Sequence, residues 1–352
     1  MKIRISSILQ YIAGLSLGLF LLWWAFQETS WEELKQSIQK ANLSWLAIAM
    51  GVGLCSHFFR GLRWRMQLKA TGYNVSILNT FAATMSTYAA NTLVPRAGEV
   101  ARCTLLLKSD RVPLAVSLGT VVTERLIDLL ILLTLIGSAF LLEFERIQTF
   151  IAQRSAEQTG NESPSILLYL IGAGIIIALV LFLLRGRLLA NPRIKALFEK
   201  VKQLATELIK AAISIKDLER PLLFIFFTLA IWFCYWLMTY LAFFSIGEMQ
   251  DINISLAYFG FIVFIMGGIG MAIPSPGGVG SYHGAVIFTF VAFSVAGSPE
   301  ASKELGQVFA FLMHTSQILM ITSVGALGAC YLLLVPPKDA RISSQETRVQ
   351  ES

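Results

Sequence analysis

Two proline- and glycine-rich breaks interrupt apolar stretches of the chain, the first at residues 94–99 and the second at residues 274–280. Within the hydrocarbon core of a bilayer, the backbone N–H and C=O groups freed by such a break have no hydrogen-bonding partner in lipid. The broken backbone must therefore face other protein groups or a water-filled cavity. The two breaks thus indicate where this chain would act.

The composition is that of an integral membrane protein. Of the 352 residues, 55% are hydrophobic and only 14% are charged. A membrane-crossing helix needs about 20 apolar residues, and candidate segments of roughly this length follow one another along the chain. They cover residues 5–26, 43–59, 76–94, 112–142, 165–184, 221–246, 254–273, 277–297 and 305–335. No stretch between them is long enough to predict a separate soluble domain.

Basic residues between the segments predict the orientation of the chain in the membrane. The loop 185–220 carries nine basic residues against four acidic ones, and a second basic cluster lies at residues 60–69. By the positive-inside rule both are cytoplasmic, together with the N- and C-termini. The acidic loops 143–163 and 247–252 are assigned to the outside. Lipid head groups are the anions expected at the basic surfaces, because the sequence contains no nucleic-acid-binding motif.

The order of the segments predicts an all-α architecture of about six spanning helices and two helical hairpins. Because the stretch after the first break is too polar to face lipid, residues 76–107 are expected to enter from the cytoplasm, turn and leave on the same side. Residues 254–297 are expected to form a second hairpin from the outside. Two opposed re-entrant hairpins would form an inverted repeat, with their tips near the membrane midplane. In the alternative, 254–273 and 277–297 both span fully and are joined by a cytoplasmic turn.

The connecting segments and the tail give weaker signals. Apolar residues at helical spacing predict amphipathic surface helices at residues 30–42, outside, and 194–213, in the cytoplasmic leaflet. Plain connecting helices packed on the bundle would give the same pattern. Residues 1–335 form the predicted membrane domain, and residues 336–352 are expected to be a short disordered cytoplasmic tail.

The segment 112–142 carries ionisable residues at membrane depth. Glu124 lies about 18 Å along the helix from its start, close to the middle of a core about 30 Å thick. Arg125 is adjacent, and Asp128 shares the face of Glu124 because it follows four residues later. Charged groups at this depth are costly and usually face a cavity or one another. They predict either a binding site or a structural ion pair with a neighbouring arginine.

The charges around the first break suit an anionic ligand. Arg96, Glu99 and Arg102 follow the break, and with the ionisable residues of the segment 112–142 they make three arginines and three carboxylates. Such a set can nearly neutralise itself when empty. It can also reorganise around a phosphate, because the forked guanidinium group matches phosphate geometry.

The second break offers backbone and imidazole groups instead. Gly277, Gly278 and Gly280 would allow close approach of a ligand, and the N–H groups that open the following helix attract anions. Tyr282 and His283 follow the turn, and His314 lies on the next apolar segment. A lone histidine on an apolar helix is more often a packed core residue than a ligand or proton carrier, so both roles stay open for His314.

Several catalytic signatures are missing from the sequence. It contains no G-x-x-x-x-G-K-[ST] phosphate-binding loop, no Cys-x-x-Cys pair that would suggest a metal site, and no spacing that predicts a catalytic triad. We therefore expect no cofactor and no metal, and we expect the chain not to be an enzyme.

Three motifs in order resemble the lysylphosphatidylglycerol synthase transmembrane region family, the flippase-like membrane module of bacteria and archaea. The motifs are NTLVPRAGEVAR at residues 91–102, TERLID at 123–128 and PSPGGVG at 274–280. The resemblance covers residues 1–335 and implies a multi-pass inner-membrane protein that handles lipids or lipid-linked saccharides. It does not imply lysyl transfer, which belongs to a soluble domain of longer relatives that we do not expect in this chain. Such proteins often carry an acidic residue where His283 stands here.

These observations favour a flippase or transporter for an anionic phospholipid or a lipid-linked saccharide. Its head group would cross a polar cavity between the hairpins while the acyl chains remain in the bilayer. One alternative is a membrane-embedded, glycosyltransferase-like enzyme that acts on lipid-phosphate substrates. Another is a membrane subunit without transport activity of its own. The expected partners are membrane lipids with anionic head groups and not nucleic acid, and a homo-oligomer is compatible with the sequence.

Overall fold

The structure is a computed structural model that describes residues 31–94, 97–146, 214–273 and 275–342, with isolated positions between 16 and 23 and between 199 and 206. Within these ranges the regular structure is helical, apart from one isolated β-bridge between Tyr73 and Arg341. The predicted helices at 5–26, 165–184 and 194–213 lie outside the described residues, except for those isolated positions.

Four helices in the described ranges are long and apolar enough to cross a membrane. They are α2 (Leu43–Ala70), α5 (Leu114–Leu142), α6 (Pro221–Phe243) and α9 (Pro299–Leu334). The shorter helices are α1 (Trp31–Lys40), α3 (Ile77–Leu93), α4 (Gly98–Asp110), α7 (Leu256–Ala272) and α8 (Ser281–Ala292). The all-α class of a chain with several membrane-crossing helices is thus confirmed, and α1 corresponds to the surface helix predicted at 30–42.

The order of helix lengths is the same in the two halves of the chain. From α2 to α5 the helices have 28, 17, 13 and 29 residues, and from α6 to α9 they have 23, 17, 12 and 36. Each half therefore consists of two short helices between two long ones. The short helices of each half pack on each other, α3 on α4 and α7 on α8.

The chain divides into two compact units. The first comprises residues 1–124 and 215–352, and the second comprises residues 125–214. The first unit contains two clusters of buried apolar side chains, one rich in phenylalanine around Phe243 and one around Trp64. In the second unit, the described residues are the remainder of α5, residues 143–146, residue 214 and the isolated positions between 199 and 206.

Residues 336–342 form an ordered strap that packs on other parts of the first unit. The backbone N–H of Lys338 donates to the carbonyl of Ser109 at 2.7 Å, and that of Ala340 donates to Asp110 at 3.1 Å. The carbonyl of Ala340 accepts from the N–H of Asn74 at 2.8 Å. These residues differ from the disordered tail expected from residue 336 onward, because backbone pairing holds them and Ala340 is buried in the cluster around Trp64. Residues 343–352 lie outside the described ranges.

Candidate functional site

Glu124 is a buried carboxylate at the centre of several arginines. Its Oε1 accepts a hydrogen bond from Nη1 of Arg60 at 2.7 Å, and its Oε2 accepts from Nη1 and Nη2 of Arg102 at 3.3 and 3.4 Å. Nη2 of Arg63 lies 3.8 Å from Oε1. None of the four residues is more than 5% exposed. We call Arg60, Arg63, Arg102 and Glu124 the arginine cluster.

Aromatic side chains hold the guanidinium groups of the cluster in place. The guanidinium of Arg102 lies 4.5 Å from the ring centroid of Trp64, and that of Arg63 lies 5.8 Å from the ring of Phe224. Cations at such distances over a ring face are attracted by its quadrupole. Trp64 is itself fixed, because its indole N–H donates to Oγ1 of Thr120 at 2.9 Å. This bond ties α2 to α5 one turn from Glu124.

Gly98 positions the helix that carries Arg102. The backbone N–H of Gly98 donates to Oδ1 of Asn91 at 2.8 Å. A Cβ atom at residue 98 would lie only 2.1 Å from the carbonyl oxygen of Thr87. Only glycine therefore allows the start of α4 to approach α3 this closely, and Arg102 follows one turn later.

The arginine cluster continues along α2 as a row of buried polar side chains. His57 and Gln67 lie on the same helix, and each has a buried polar atom, Nδ1 and Oε1 respectively, with no hydrogen-bond partner among the described residues. The ring of His57 lies 4.3 Å from that of Tyr88 on α3. Burying charged and polar groups costs free energy unless they are fully paired. Such a row in a membrane-crossing helix is therefore an indication of function.

The second break forms a tight turn that is held by histidines. Nε2 of His314 donates to the carbonyl of Gly277 at 2.9 Å, and its ring stacks on that of Tyr282 at 4.8 Å. The ring of His283 lies 4.8 Å from that of His314, and its Nδ1 accepts from the N–H of Gly280 at 3.4 Å. Five of the predicted residues at this break thus form a chain of contacts, and His314 has the role of a packed residue that supports the turn.

The turn of the second break contacts the end of α3. Its short 3₁₀ segment, Pro276–Gly278, packs on α3, and a Cβ atom at Gly277 would lie 3.7 Å from Thr92. Gly278 has a φ of +77°, and a Cβ there would lie 2.1 Å from the sulfur of Met271. The positive φ is the reason that glycine is required at this position, since the flexible side chain of Met271 can shift. The turn of the second break therefore lies against the end of α3, directly before the first break.

The remaining predicted site residues are placed less centrally. Arg96 lies outside the described residues, as do Pro95 and Pro274. Glu99 is half-buried in the first turn of α4, and Asp128 is buried in the second unit. The side chain of Arg125 is exposed, because successive residues of a helix point about 100° apart and its neighbour Glu124 faces inward.

Arg60 and Arg63 are candidate site residues that sequence reasoning missed. The apolar segment predicted at 43–59 covers only part of the helix, because α2 continues to Ala70 and buries both arginines. The apolar pattern of the sequence ends at the first arginine, Arg60. The helix continues beyond it, because Glu124 and the aromatic rings stabilise the charges of the two arginines. One signal was available: Arg60 and Arg63 are three residues apart and therefore share a helix face.

Residues 11–325 match the family described as the lysylphosphatidylglycerol synthase TM region. The chain belongs to this family. Membership indicates a membrane protein of lipid metabolism or transport, and the matched range includes the arginine cluster and the turn of the second break. No curated protein and no solved structure matches the chain significantly.

Across the described ranges, no group of three or more His, Cys, Asp or Glu side chains is placed to hold a metal ion.

Proposed function

We propose that this protein is a flippase, or transporter, that moves an anionic phospholipid or a lipid-linked saccharide across a bacterial or archaeal cell membrane. The observation that carries the proposal is the arginine cluster, in which three buried guanidinium groups share the carboxylate of Glu124. Guanidinium groups bind phosphate and carboxylate with the same forked geometry. A lipid phosphate can therefore take the place of Glu124 without leaving the arginines unpaired.

Helix lengths support hairpins that enter the membrane without crossing it. At about 1.5 Å per residue, α3 and α4 are roughly 26 and 20 Å long and α8 is roughly 18 Å long. These lengths are below the ~30 Å of the hydrocarbon core. They favour the re-entrant arrangement over the alternative in which both segments at the second break span fully. The broken backbone at each hairpin tip would then line a protein-enclosed path for the head group.

In this mechanism the two breaks have different roles. A head group enters the path between the hairpins, and Arg60 and Arg102 transfer their hydrogen bonds from Glu124 to its phosphate. Glu124 then either stays ionised and balances the positive charge of the arginines or takes up a proton. The acyl chains of the lipid stay in the bilayer. The turn that His314 supports acts as a close-fitting backbone gate. Arg96 and Glu99 remain candidate charges along the path, and Arg125 and Asp128 remain candidate charges on α5. No bond in the lipid is formed or broken, so we propose transport and not catalysis.

Reconstitution into proteoliposomes tests this proposal. We expect Glu124→Gln, which keeps the shape of the side chain and removes its charge, to abolish most translocation of a labelled anionic lipid. Glu300→Gln is the matched control, because Glu300 is exposed in the first turn of α9. Arg102→Lys keeps the charge but loses the fork, and we expect it to lower the rate as well. Wild-type rates for both cluster variants, in folded protein, would refute the mechanism.

A further inference from the structure

A basic cleft lies where the end of α2 meets the start of α6. It has a volume of about 260 Å³ and is lined by Arg65, Met66, Lys69, Ala70, Leu218, Glu219, Arg220 and Leu223. The sequence contains two basic clusters that are far apart along the chain, at 60–69 and 185–220. The structure brings their ends into a single site, which we call the α2–α6 cleft.

Positive charge exceeds negative charge among the residues that line this cleft. Arg65, Lys69 and Arg220 face a single acidic residue, Glu219. Nζ of Lys69 pairs with Oε2 of Glu219 at 2.7 Å, but the two side chains are 28% and 54% exposed. A pair with this exposure contributes little stability and exchanges readily with another anion.

The backbone near the cleft fixes one of its cations. Nε of Arg65 donates to the carbonyl of Val75 at 2.7 Å, and its Nη2 donates to Oδ1 of Asn74 at 2.9 Å. The guanidinium therefore loses little side-chain freedom when it meets a ligand, which favours binding. Arg220 is exposed directly before Pro221, the first residue of α6.

The other wall of the cleft is apolar. Met66, Leu218 and Leu223 line it, and the neighbouring Leu222 is 81% exposed. Both α2 and α6 are long and apolar enough to cross a membrane, so their ends lie near the boundary between lipid and water. Basic pockets between membrane helices at this level bind lipid head groups. A free phosphate ion would make no use of the apolar wall, whereas the glycerol and acyl ends of a lipid would cover it.

We propose that the α2–α6 cleft binds the phosphate of an anionic phospholipid as a resident ligand. The phosphate replaces the carboxylate of Glu219 on Lys69 and also contacts Arg65 and Arg220, while the upper part of the acyl chains lies along Met66 and Leu223. This site is separate from the buried arginine cluster and does not rest on the proposed transport function.

Native mass spectrometry of the purified full chain tests the site. The probes are phosphatidylglycerol and phosphatidylcholine with identical acyl chains, added at equal concentration. We expect preferential retention of phosphatidylglycerol. We expect Lys69→Gln and Arg220→Gln each to weaken that retention roughly fivefold, the effect of one basic residue near an anionic surface. Lys40→Gln is the matched control, because Lys40 is an exposed lysine at the end of α1.

Three results would overturn the assignment. They are equal retention of the two lipids, an equal loss in Lys40→Gln, and displacement of the lipid by inorganic phosphate at similar concentration, which would indicate a site for the free ion. Glu124→Gln separates the cleft from the transport site, since the cleft is unaltered in that variant. We expect the variant to retain the resident lipid even if it carries no lipid across the membrane, and loss of retention there would also count against the cleft.

Discussion

Gly98 sets the distance between α3 and α4, and Gly98→Ala tests whether that distance positions the arginine cluster. A Cβ atom at this residue would lie 2.1 Å from the carbonyl oxygen of Thr87 and 2.8 Å from Oδ1 of Asn91. Contacts of this kind below 3.0 Å essentially do not occur, so the start of α4 must move by roughly 1 Å away from α3. The substitution changes no charge and removes no hydrogen-bonding group.

The movement has two expected effects. Adding a methylene-sized group to a well-packed interior costs about 1–3 kcal/mol, and the better helix propensity of alanine returns at most about 1 kcal/mol. We therefore expect the free energy of unfolding to fall by up to about 3 kcal/mol. Arg102 moves with α4, and its bonds to Glu124 are already long at 3.3 and 3.4 Å. A shift of this size would break them, so the transport rate should fall too.

Two measurements on the same preparations check this expectation. Thermal unfolding in detergent reports the stability of Gly98→Ala, and lipid translocation in proteoliposomes reports its activity. Gly51→Ala is the matched control, because Gly51 lies in α2 and a Cβ there would have no neighbour within 4 Å. We expect the control to be unchanged or slightly stabilised and fully active. A Gly98→Ala protein with wild-type stability and rate would show that the reasoning about α4 is wrong.

Two further predictions concern the turn of the second break and the strap. His314→Phe keeps an aromatic ring but leaves the carbonyl of Gly277 without its donor, so we expect a loss of about 1–3 kcal/mol in the free energy of unfolding. Denaturant titration measures it, and unchanged stability would mean that this hydrogen bond does not hold the turn. Truncation after Val335 removes the strap and should speed deuterium exchange at the amide of Asn74, which bonds to the strap at 2.8 Å. Truncation after Ile342 is the control, and equal exchange in the two truncated proteins would contradict this role of the strap.

Sequence patterns predicted the parts of the site that depend on position along an apolar segment. Glu124 was found because its distance from the start of the segment places a carboxylate at membrane depth, where it needs a partner. The order of long and short segments predicted that the two breaks approach each other, and the turn of the second break lies against the end of α3. Arg102 was grouped with Glu124 because it follows the first break, and the structure joins them at 3.3 Å.

The missed parts depend on contacts between distant segments. A hydropathy pattern ends at Arg60 because it depends only on neighbouring residues. The carboxylate that accepts the hydrogen bond of Arg60 lies 64 residues further along the chain. Arg125 was included because it adjoins Glu124 in sequence, although neighbours on a helix point in different directions. The strap of residues 336–342 is bound mainly through backbone groups and one buried alanine, Ala340, and such contacts give no recognisable side-chain pattern.

The lengths of the helices explain why α4 can be short. Arg60 lies ten residues before the end of α2, and Glu124 lies ten residues after the start of α5. At about 1.5 Å per residue, each is about 15 Å from that helix end, which is half of a core about 30 Å thick. Their contact at 2.7 Å fits two ends on the same side of the membrane. Arg102, eight residues before the end of α4, reaches the same depth at about 12 Å. At 13 residues, or about 20 Å, α4 is thus long enough to bring Arg102 to Glu124, and its start at Gly98, with the first break before it, lies one turn beyond Arg102.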